Sequence, residues 1–324
     1  MARSLIIALT GIFQAISLIS AASAADKKEA VKLYTLGIMQ IVEHPSLNEL
    51  RRGALDALKK RGLSDNTDIE YMNAQGNMGT NAQIARKLLG KKPDAILAIG
   101  TPAAQAALNK NRQTAVVFAP VSDPLAARLV ASWDKPGGLA TGSSDRSPVL
   151  QQLELIRTIS PGVKRVAILY NPGEANSQAV TEQFRQACQK LQLAYEEGSV
   201  QSSSMVFSVA SSVRADAIYV PTDNTVVSAI EAVIKAGVAR KIPVFTAESE
   251  SVRKGALAAL AVDYYQLGLT TGEMLADILE KKSSPAVMPV RFQETFQLHI
   301  NPRHAEAMGV QIPADLLRKA ILHH

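Results

Sequence analysis

The strongest constraint on the fold of this chain is a strand-to-helix layout that occurs twice, about 120 residues apart. Residues 94–108 read DAILAIGTPAAQAAL, and residues 216–233 read DAIYVPTDNTVVSAIEAV. In each segment a short apolar run suited to a buried strand leads into a stretch whose apolar residues have helical spacing. Strands and helices alternate in the same order around both segments, which predicts two similar α/β halves with parallel sheets built from right-handed βαβ units.

The repeat also predicts how the chain is divided. We expect two Rossmann-like α/β lobes joined by a hinge of several strands, with a ligand cleft between them. The first lobe would comprise 31–145 plus about 266–290, and the second 146–265 plus about 291–324. The tail is too short for a third domain, so we expect it to cross back over both halves.

The first 25 residues have the features of a cleavable secretory signal peptide. Arg3 is followed by the apolar stretch LIIALTGIFQAISLIS and by small residues in AASAADKK. The apolar stretch is shorter than the roughly 20 residues of a membrane span, and no cysteine follows it for lipid attachment. The sequence therefore predicts export to the periplasm without a lipid anchor. Cys188 is the only cysteine, so the exported fold is expected to have no internal disulfide.

Composition argues against a nucleic-acid-binding function. The net charge is +6 over 324 residues, and Lys and Arg are scattered through helix-like segments such as ELRRGALDALKKRG. Such a pattern is typical of solvated helix faces and predicts no nucleic-acid partner.

Polar side chains follow almost every predicted strand. In parallel α/β sheets the carboxyl ends of the strands meet helix N-termini, where ligands bind. Helix capping is the alternative role, because Ser, Thr, Asp and Asn are the favoured N-caps. Acids from two successive loops exceed what capping needs, and they suit the ammonium of a zwitterion. The candidate ligand-binding residues at these ends are Gln40, Glu43, Thr101, Ser122, Asp123, Asn171, Asn176, Asp223, Asn224 and Glu248.

Motifs of catalysis and metal binding are absent from the sequence. It contains no G-x-S-x-G elbow, phosphate-binding loop, dinucleotide fingerprint or H-E-x-x-H motif. His44 falls in a cleft loop without a partner at metal spacing, and a loop hydrogen bond is its expected role. Asp223 and Glu248 could imitate the acid pair of a glycosidase, but no other feature supports that reading. We expect no enzyme activity, no cofactor and no metal.

Six segments in order resemble a known family: IVEHPSLNELRRG (41–53), PVSDPLAARLV (120–130), TGSSD (141–145), YNPGEANS (170–177), VPTDNTVVSA (220–229) and PVFTAESESVRKGALAALAVDYYQLG (243–268). The chain resembles the ABC-transporter substrate-binding proteins related to bacterial tryptophan/tyrosine-type uptake proteins, over about 31–322. The resemblance implies the type I periplasmic-binding-protein fold. It adds Ser143 and Ser144 of the crossing strand to the expected site. The sequence departs from the residues that are usual in the family at Ser122, Ala127, Arg128 and Ala261. The identity of the solute therefore does not follow from the resemblance.

We therefore expect a monomeric periplasmic receptor that closes on a small zwitterionic solute and delivers it to the membrane permease of an ABC importer. An aromatic or branched amino acid is the leading candidate. A periplasmic ligand-sensing protein that partners a membrane signalling receptor would share the fold and the cleft. An exported hydrolase is the second alternative. The sequence does not identify the solute.

Overall fold

The described part of the chain, residues 33–323 of a computed structural model, contains two β-sheets covered by helices. The predicted signal peptide and positions 31–32 of the predicted first lobe lie outside the described residues. From Tyr34 onward the chain forms one compact unit.

The first sheet has six strands in the order β11-β5-β4-β3-β1-β2. Its strands are β1 (Tyr34–Gln40), β2 (Thr67–Asn73), β3 (Ala95–Ile99), β4 (Ala115–Ala119), β5 (Ala140–Ser144) and β11 (Arg291–Phe292). All neighbouring pairs are parallel. The central strand β3 is buried along its whole length, which explains why its sequence is a continuous apolar run and does not alternate.

The second sheet has seven strands in the order β13-β12-β10-β9-β8-β6-β7. Its strands are β6 (Arg165–Tyr170), β7 (Ala194–Ser199), β8 (Ala217–Val220), β9 (Val244–Thr246), β10 (Ala258–Ala261), β12 (Gln297–Ile300) and β13 (Ile321–Leu322). Only the β10–β12 pair is antiparallel. The predicted pair of mainly parallel α/β lobes is confirmed.

Helices flank both sheets. Within the described residues they are α1 (Pro45–Lys60), α2 (Met78–Gly90), α3 (Thr101–Leu108), α4 (Val149–Ile159), α5 (Ala175–Leu191), α6 (Val206–Ser212), α7 (Asn224–Val227), α8 (Ile230–Arg240), α9 (Glu250–Arg253), α10 (Tyr264–Leu279), α11 (Pro302–Ala307) and α12 (Ala314–Lys319). Each lobe has its own apolar core, and α10 packs into the core of the first lobe although its sequence follows the second.

Glycines allow α1 and α10 to pack with their backbones close together. A Cβ at Gly53 would overlap the carbonyl oxygen of Tyr265, and a Cβ at Gly268 would overlap the carbonyl oxygen of Leu50. No side chain fits at either position. This contact holds the helix that follows the second crossing firmly against the first lobe.

The chain passes between the two sheets three times, after β5, after β10 and after β11. The segment 288–301 contributes one strand to each sheet, because β11 pairs with β5 in the first sheet and β12 pairs with β10 in the second. The polar stretch between them contains Gln293, which bonds the backbone N–H and carbonyl of Asp263 at 3.0 and 2.8 Å. Two crossing segments are thereby tied together at the hinge.

No helix within residues 33–323 combines the length and the apolar character that crossing a lipid bilayer requires.

Candidate functional site

A small cavity lies between the lobes, where the carboxyl ends of strands from both sheets meet. It is lined by His44, Leu47, Thr101, Pro120, Ser122, Asp145, Asn176, Thr222, Asn224, Val227, Glu248 and Tyr264. Its volume is about 20 Å³, close to the space that one water molecule occupies. Each polar lining residue follows a strand or begins a helix, as expected for a site in an open parallel sheet.

Gly100 makes the abrupt change from β3 to α3 possible. Its φ is 96°, in the left-handed region that favours glycine. A Cβ there would also lie 2.6 Å from Cγ2 of Ile41. The sharp turn brings Thr101, the first residue of α3, to the cavity wall, so the free N–H groups of the first helical turn lie beside it.

Asp145 is a buried carboxylate at the first crossing between the lobes. Its Oδ1 accepts from Ser122 Oγ at 2.9 Å, and its Oδ2 accepts from the Tyr264 hydroxyl at 2.8 Å. Burial raises its pKa, although both hydrogen bonds oppose the shift. Ser122 Oγ also lies 3.1 Å from Thr222 Oγ1 of the second lobe. One hydroxyl therefore connects the hinge carboxylate with the opposite wall of the cleft.

Glu248 makes a second connection between the lobes. Its Oε2 accepts from Ser46 Oγ of the first lobe at 2.5 Å and from the backbone N–H of Glu250 at 2.8 Å. Oε1 accepts from the N–H of Ser251 at 3.0 Å. Glu248 thus orders the start of α9 within its own lobe and contacts the other lobe as well.

Asp223 lies behind the cavity wall. Its carboxylate accepts from the N–H of Asn171 at 2.6 Å, from Ser177 Oγ at 2.6 Å and from the N–H of Val226 at 2.7 Å, the last as the N-cap of α7. Burial and the charge of nearby Glu174 raise its pKa to about 7. These contacts all lie within the second lobe.

Glu174 is a buried acid that sequence reasoning did not identify. It accepts from the backbone and side chain of Asn224 and from the backbone and hydroxyl of Thr225, at 2.5–3.2 Å. Only 1% of its surface is exposed. It therefore fixes the orientation of the α7 N-terminus, which faces the cavity through Asn224.

Two buried polar atoms in the cavity wall have no hydrogen-bond partner among the described residues. They are Nδ1 of His44 and Oδ1 of Asn176. Nδ2 of Asn176 donates to the carbonyl oxygen of Thr222 at 2.9 Å. Burial and the charge of Lys254 lower the pKa of His44 to about 3, although a hydrogen bond to the Asn224 side chain opposes this. His44 is therefore neutral at physiological pH.

Five of the twelve predicted site residues line the cavity: Thr101, Ser122, Asn176, Asn224 and Glu248. The other seven have contacts elsewhere. Gln40 bonds Asn48 and Arg51, and Glu43 accepts from the Tyr71 hydroxyl. Asp123 caps residues 125 and 126, Ser143 pairs with Thr271, and Ser144 donates to the Ser122 carbonyl. Asn171 donates to Thr225, and Asp223 makes the contacts described above.

The carboxylates of Asp223 and Asp123 cap backbone N–H groups at the starts of turns and helices, and their contact with a ligand stays a prediction. The amino-acid types that bind ligands at strand ends are also the types that cap helices. At these two positions capping is the observed role.

Sequence reasoning missed several lining residues that come from the crossing segments and from apolar positions. They are Leu47, Pro120, Asp145, Val227, Tyr264 and Thr222, together with His44, which was expected in a cleft loop but was not selected as a ligand-binding residue. Asp145 ends the TGSSD segment and Tyr264 begins α10, so both follow crossing strands. The position of these two segments at the predicted hinge was the sequence feature that could have identified Asp145 and Tyr264.

The thiol of Cys188 lies outside the cavity. Cys188 is buried in the core of the second lobe, where desolvation raises its pKa to about 12. Among the described residues no group of three or more His, Cys, Asp or Glu side chains is placed to hold a metal ion.

A family model described as ABC transporter substrate binding protein matches residues 35–324. A tyrosine-binding protein of Clostridioides difficile (strain R20291) is 38% identical over 297 residues, which are 90% of this chain and 86% of the relative. Both matches cover nearly all of the described residues.

Two solved structures of similar sequence identity match this chain to different degrees. The ABC domain from Streptococcus pneumonia in complex with L-Trp has a TM-score of 0.87 at 33% identity and covers 90% of this chain and 100% of its own. The ligand-free, open structure of a substrate binding protein with adhesive properties from Clostridium difficile has a TM-score of 0.67 at 37% identity, with 90% and 99% covered. The two structures have similar sequence identity to this chain. The higher TM-score of the L-Trp complex therefore indicates that the lobes of this chain are arranged as in that complex. The predicted type I periplasmic-binding-protein fold is confirmed, and the chain belongs to the family of ABC transporter substrate binding proteins.

Proposed function

We propose that this protein is the solute receptor of an ABC importer and binds an aromatic α-amino acid between its lobes. The observation that carries the proposal is the charge of the cavity. Asp145 and Glu248 line it, whereas none of its lining residues in the described chain is Lys or Arg. Buried carboxylates without a cation are costly, so a ligand that brings an ammonium group compensates for them with charge-assisted hydrogen bonds.

The remaining wall suits the other two parts of an amino acid. The Thr222 hydroxyl and the free N–H groups at the start of α3 can hold a carboxylate. Leu47 and Val227, one from each lobe, provide apolar surface for a side chain. The tyrosine-binding relative and the L-Trp complex support an aromatic side chain.

Binding requires the lobes to separate and close again. A cavity of about 20 Å³ has no room for an amino acid, so the solute enters when the Ser122–Thr222 and Ser46–Glu248 contacts break. A ligand that touches both lobes favours closure by its differential affinity for the closed form. The closed receptor would then deliver the solute to a membrane permease from the periplasm, which the predicted signal peptide would allow it to reach.

Calorimetry on the mature chain, residues 26–324, tests the ammonium site. We expect L-Tyr or L-Trp to bind, and D145N to weaken that binding roughly 10- to 140-fold, since a hydrogen bond to a charged group contributes about 1.5–3 kcal/mol. The deaminated analogue, 3-(4-hydroxyphenyl)propionate, should lose much less. D65N, at an exposed aspartate, is the matched control.

Equal losses for the amino acid and its deaminated analogue would contradict the assignment of the ammonium to Asp145. The sequence-based assignment to Asp223 predicts instead that D223N shows the larger selective loss. Mass spectrometry of the recovered ligand separates a receptor from a hydrolase. Uptake of the labelled amino acid by cells that lack the gene tests the importer role.

A further inference from the structure

A surface groove of about 630 Å³ lies beside the hinge. Its lining residues fall in three segments: 146–151 after the first crossing, 183–190 on α5, and 292–296 at the end of β11 and after it. The described residues that line the groove and those that line the cavity between the lobes do not overlap. The groove has the size of a small-molecule site, for which volumes of about 300–1,000 Å³ are usual.

The two walls of the groove belong to different lobes. Phe292 lies on β11, which pairs with β5 of the first sheet, and its ring packs edge-to-face against Trp133 with 5.7 Å between the ring centroids. Phe296 packs against the first-lobe core. On the other side, Ala187 of α5 belongs to the second-lobe core, and Leu150 of α4 packs against that core. Rotation of one lobe against the other therefore changes the width of the groove as well as the width of the cleft.

The groove also contains a residue that holds the crossing segments together. Gln293 lines it, and both ends of the Gln293 amide bond the backbone of Asp263 in the second crossing segment. The segment 146–151 follows the first crossing, and Gln293 belongs to the third. A molecule in the groove would therefore contact the hinge directly, on a face that the solute in the cleft does not reach.

The chemistry of the walls indicates which class of molecule fits. The two phenylalanines, Leu150 and Ala187 provide apolar surface. Arg146 and Lys190 also line the groove, and neither forms an ion pair with another residue of the described chain. Glu294 is the one acid among the described lining residues. Apolar surface beside two unpaired cations suits an aromatic or branched apolar group that carries one acidic group.

We propose that this groove is an effector site for a small amphipathic carboxylate or sulfonate, whose apolar group packs against the phenylalanines and α5 while its acidic group binds Arg146 and Lys190. The groove has this shape when the lobes are arranged as in the L-Trp complex. An effector that fits it stabilises the closed form and so raises the affinity of the cleft for its solute. By linkage the solute raises the affinity for the effector by the same factor. The coupling rests on the proposed function, whereas occupancy of the groove does not.

Fluorescence titration of the mature chain with 1-anilinonaphthalene-8-sulfonate, an aromatic sulfonate, measures occupancy of the groove without any amino acid. We expect saturable binding to a single site. Q186W puts an aromatic ring into the groove from α5 and should weaken binding roughly tenfold or more. R146Q and K190Q should each weaken it roughly 2- to 5-fold, as for charge interactions at exposed sites. Q189W, exposed on α5 outside the groove, and K59Q, at an exposed lysine of α1, are matched controls that should bind as the wild type does.

The same titration with saturating L-Tyr measures the coupling. The probe should bind about 5-fold more tightly or better when L-Tyr is present, and calorimetry should show the same gain for L-Tyr when the probe is present. Probe affinity that L-Tyr leaves unchanged would overturn the proposal, as would displacement of the probe by L-Tyr, which would place the probe in the cleft.

Two further outcomes concern the occupant of the groove. Undiminished probe binding in Q186W would overturn the proposal. A concentration-dependent dimer that Q186W dissociates in sedimentation velocity would assign the groove to a second copy of the chain and overturn it as well. Failure of L-Tyr and L-Trp to bind overturns the proposed function and the coupling, while saturable probe binding that Q186W weakens still supports the groove as a site.

Discussion

The buried pair formed by Asp223 and Glu174 should make the stability of the protein fall as the pH rises through neutrality. Burial and the charge of Glu174 raise the pKa of Asp223 to about 7, from 3.8 for an aspartate exposed to water. A group whose pKa is raised in the folded state contributes stability that is complete below the unfolded pKa and is lost as the pH approaches the folded pKa. With about 1.4 kcal/mol for each pKa unit, the wild type should lose roughly 2–3 kcal/mol of unfolding free energy from this group between about pH 5 and pH 8.

Comparison with D223N separates this effect from the titrating groups that do not interact with Asp223. Asparagine has nearly the same shape and does not ionise, and its Oδ1 can still accept from the N–H of Val226. Urea denaturation followed by circular dichroism should therefore show D223N gaining roughly 2–3 kcal/mol relative to the wild type over the same pH range. D65N, at an exposed site, should show no such trend. A constant difference between D223N and the wild type at every pH would refute the reasoning.

Two further substitutions test the packing of the hinge helix and the closure contact. G268A should destabilise the protein by about 1–3 kcal/mol, because its Cβ overlaps a backbone carbonyl of α1. By contrast, a Cβ at Gly90 would have no atom within 4 Å, so G90A should stabilise the protein by about 0.5–1 kcal/mol. If thermal denaturation showed both substitutions shifting stability in the same direction, the packing argument would be contradicted. S46A removes the hydroxyl that reaches Glu248 across the cleft, and it should weaken amino-acid binding roughly tenfold or more by calorimetry. S208A, at an exposed serine, should not, and unchanged binding in S46A would show that this contact does not stabilise the closed form.

The framework of the cleft was predictable from the sequence because it is determined by local patterns. The segment 94–108 forms β3 and α3, and 216–233 forms β8, α7 and the start of α8. Apolar runs and helical spacing are sufficient to place such elements, and in the first segment Gly100 also marks the turn. The division of 288–301 between two sheets was not predictable, because it depends on pairing with β5 and β10, which are distant in sequence.

The sequence by itself determined that polar strand ends of two α/β lobes would face each other, and it identified five of the residues that line the cavity. Only the tertiary structure decided which acids line the cavity and which accept hydrogen bonds from the backbone behind it. Asp223 and Asp145 are both buried carboxylates near a strand end, yet Asp223 accepts from two N–H groups and a hydroxyl of its own lobe, whereas Asp145 lines the cavity. Helix N–H groups and an ammonium ligand require the same kind of acceptor, so the residue type could not separate the two roles. The difference lies in which donors the fold brings within hydrogen-bond distance.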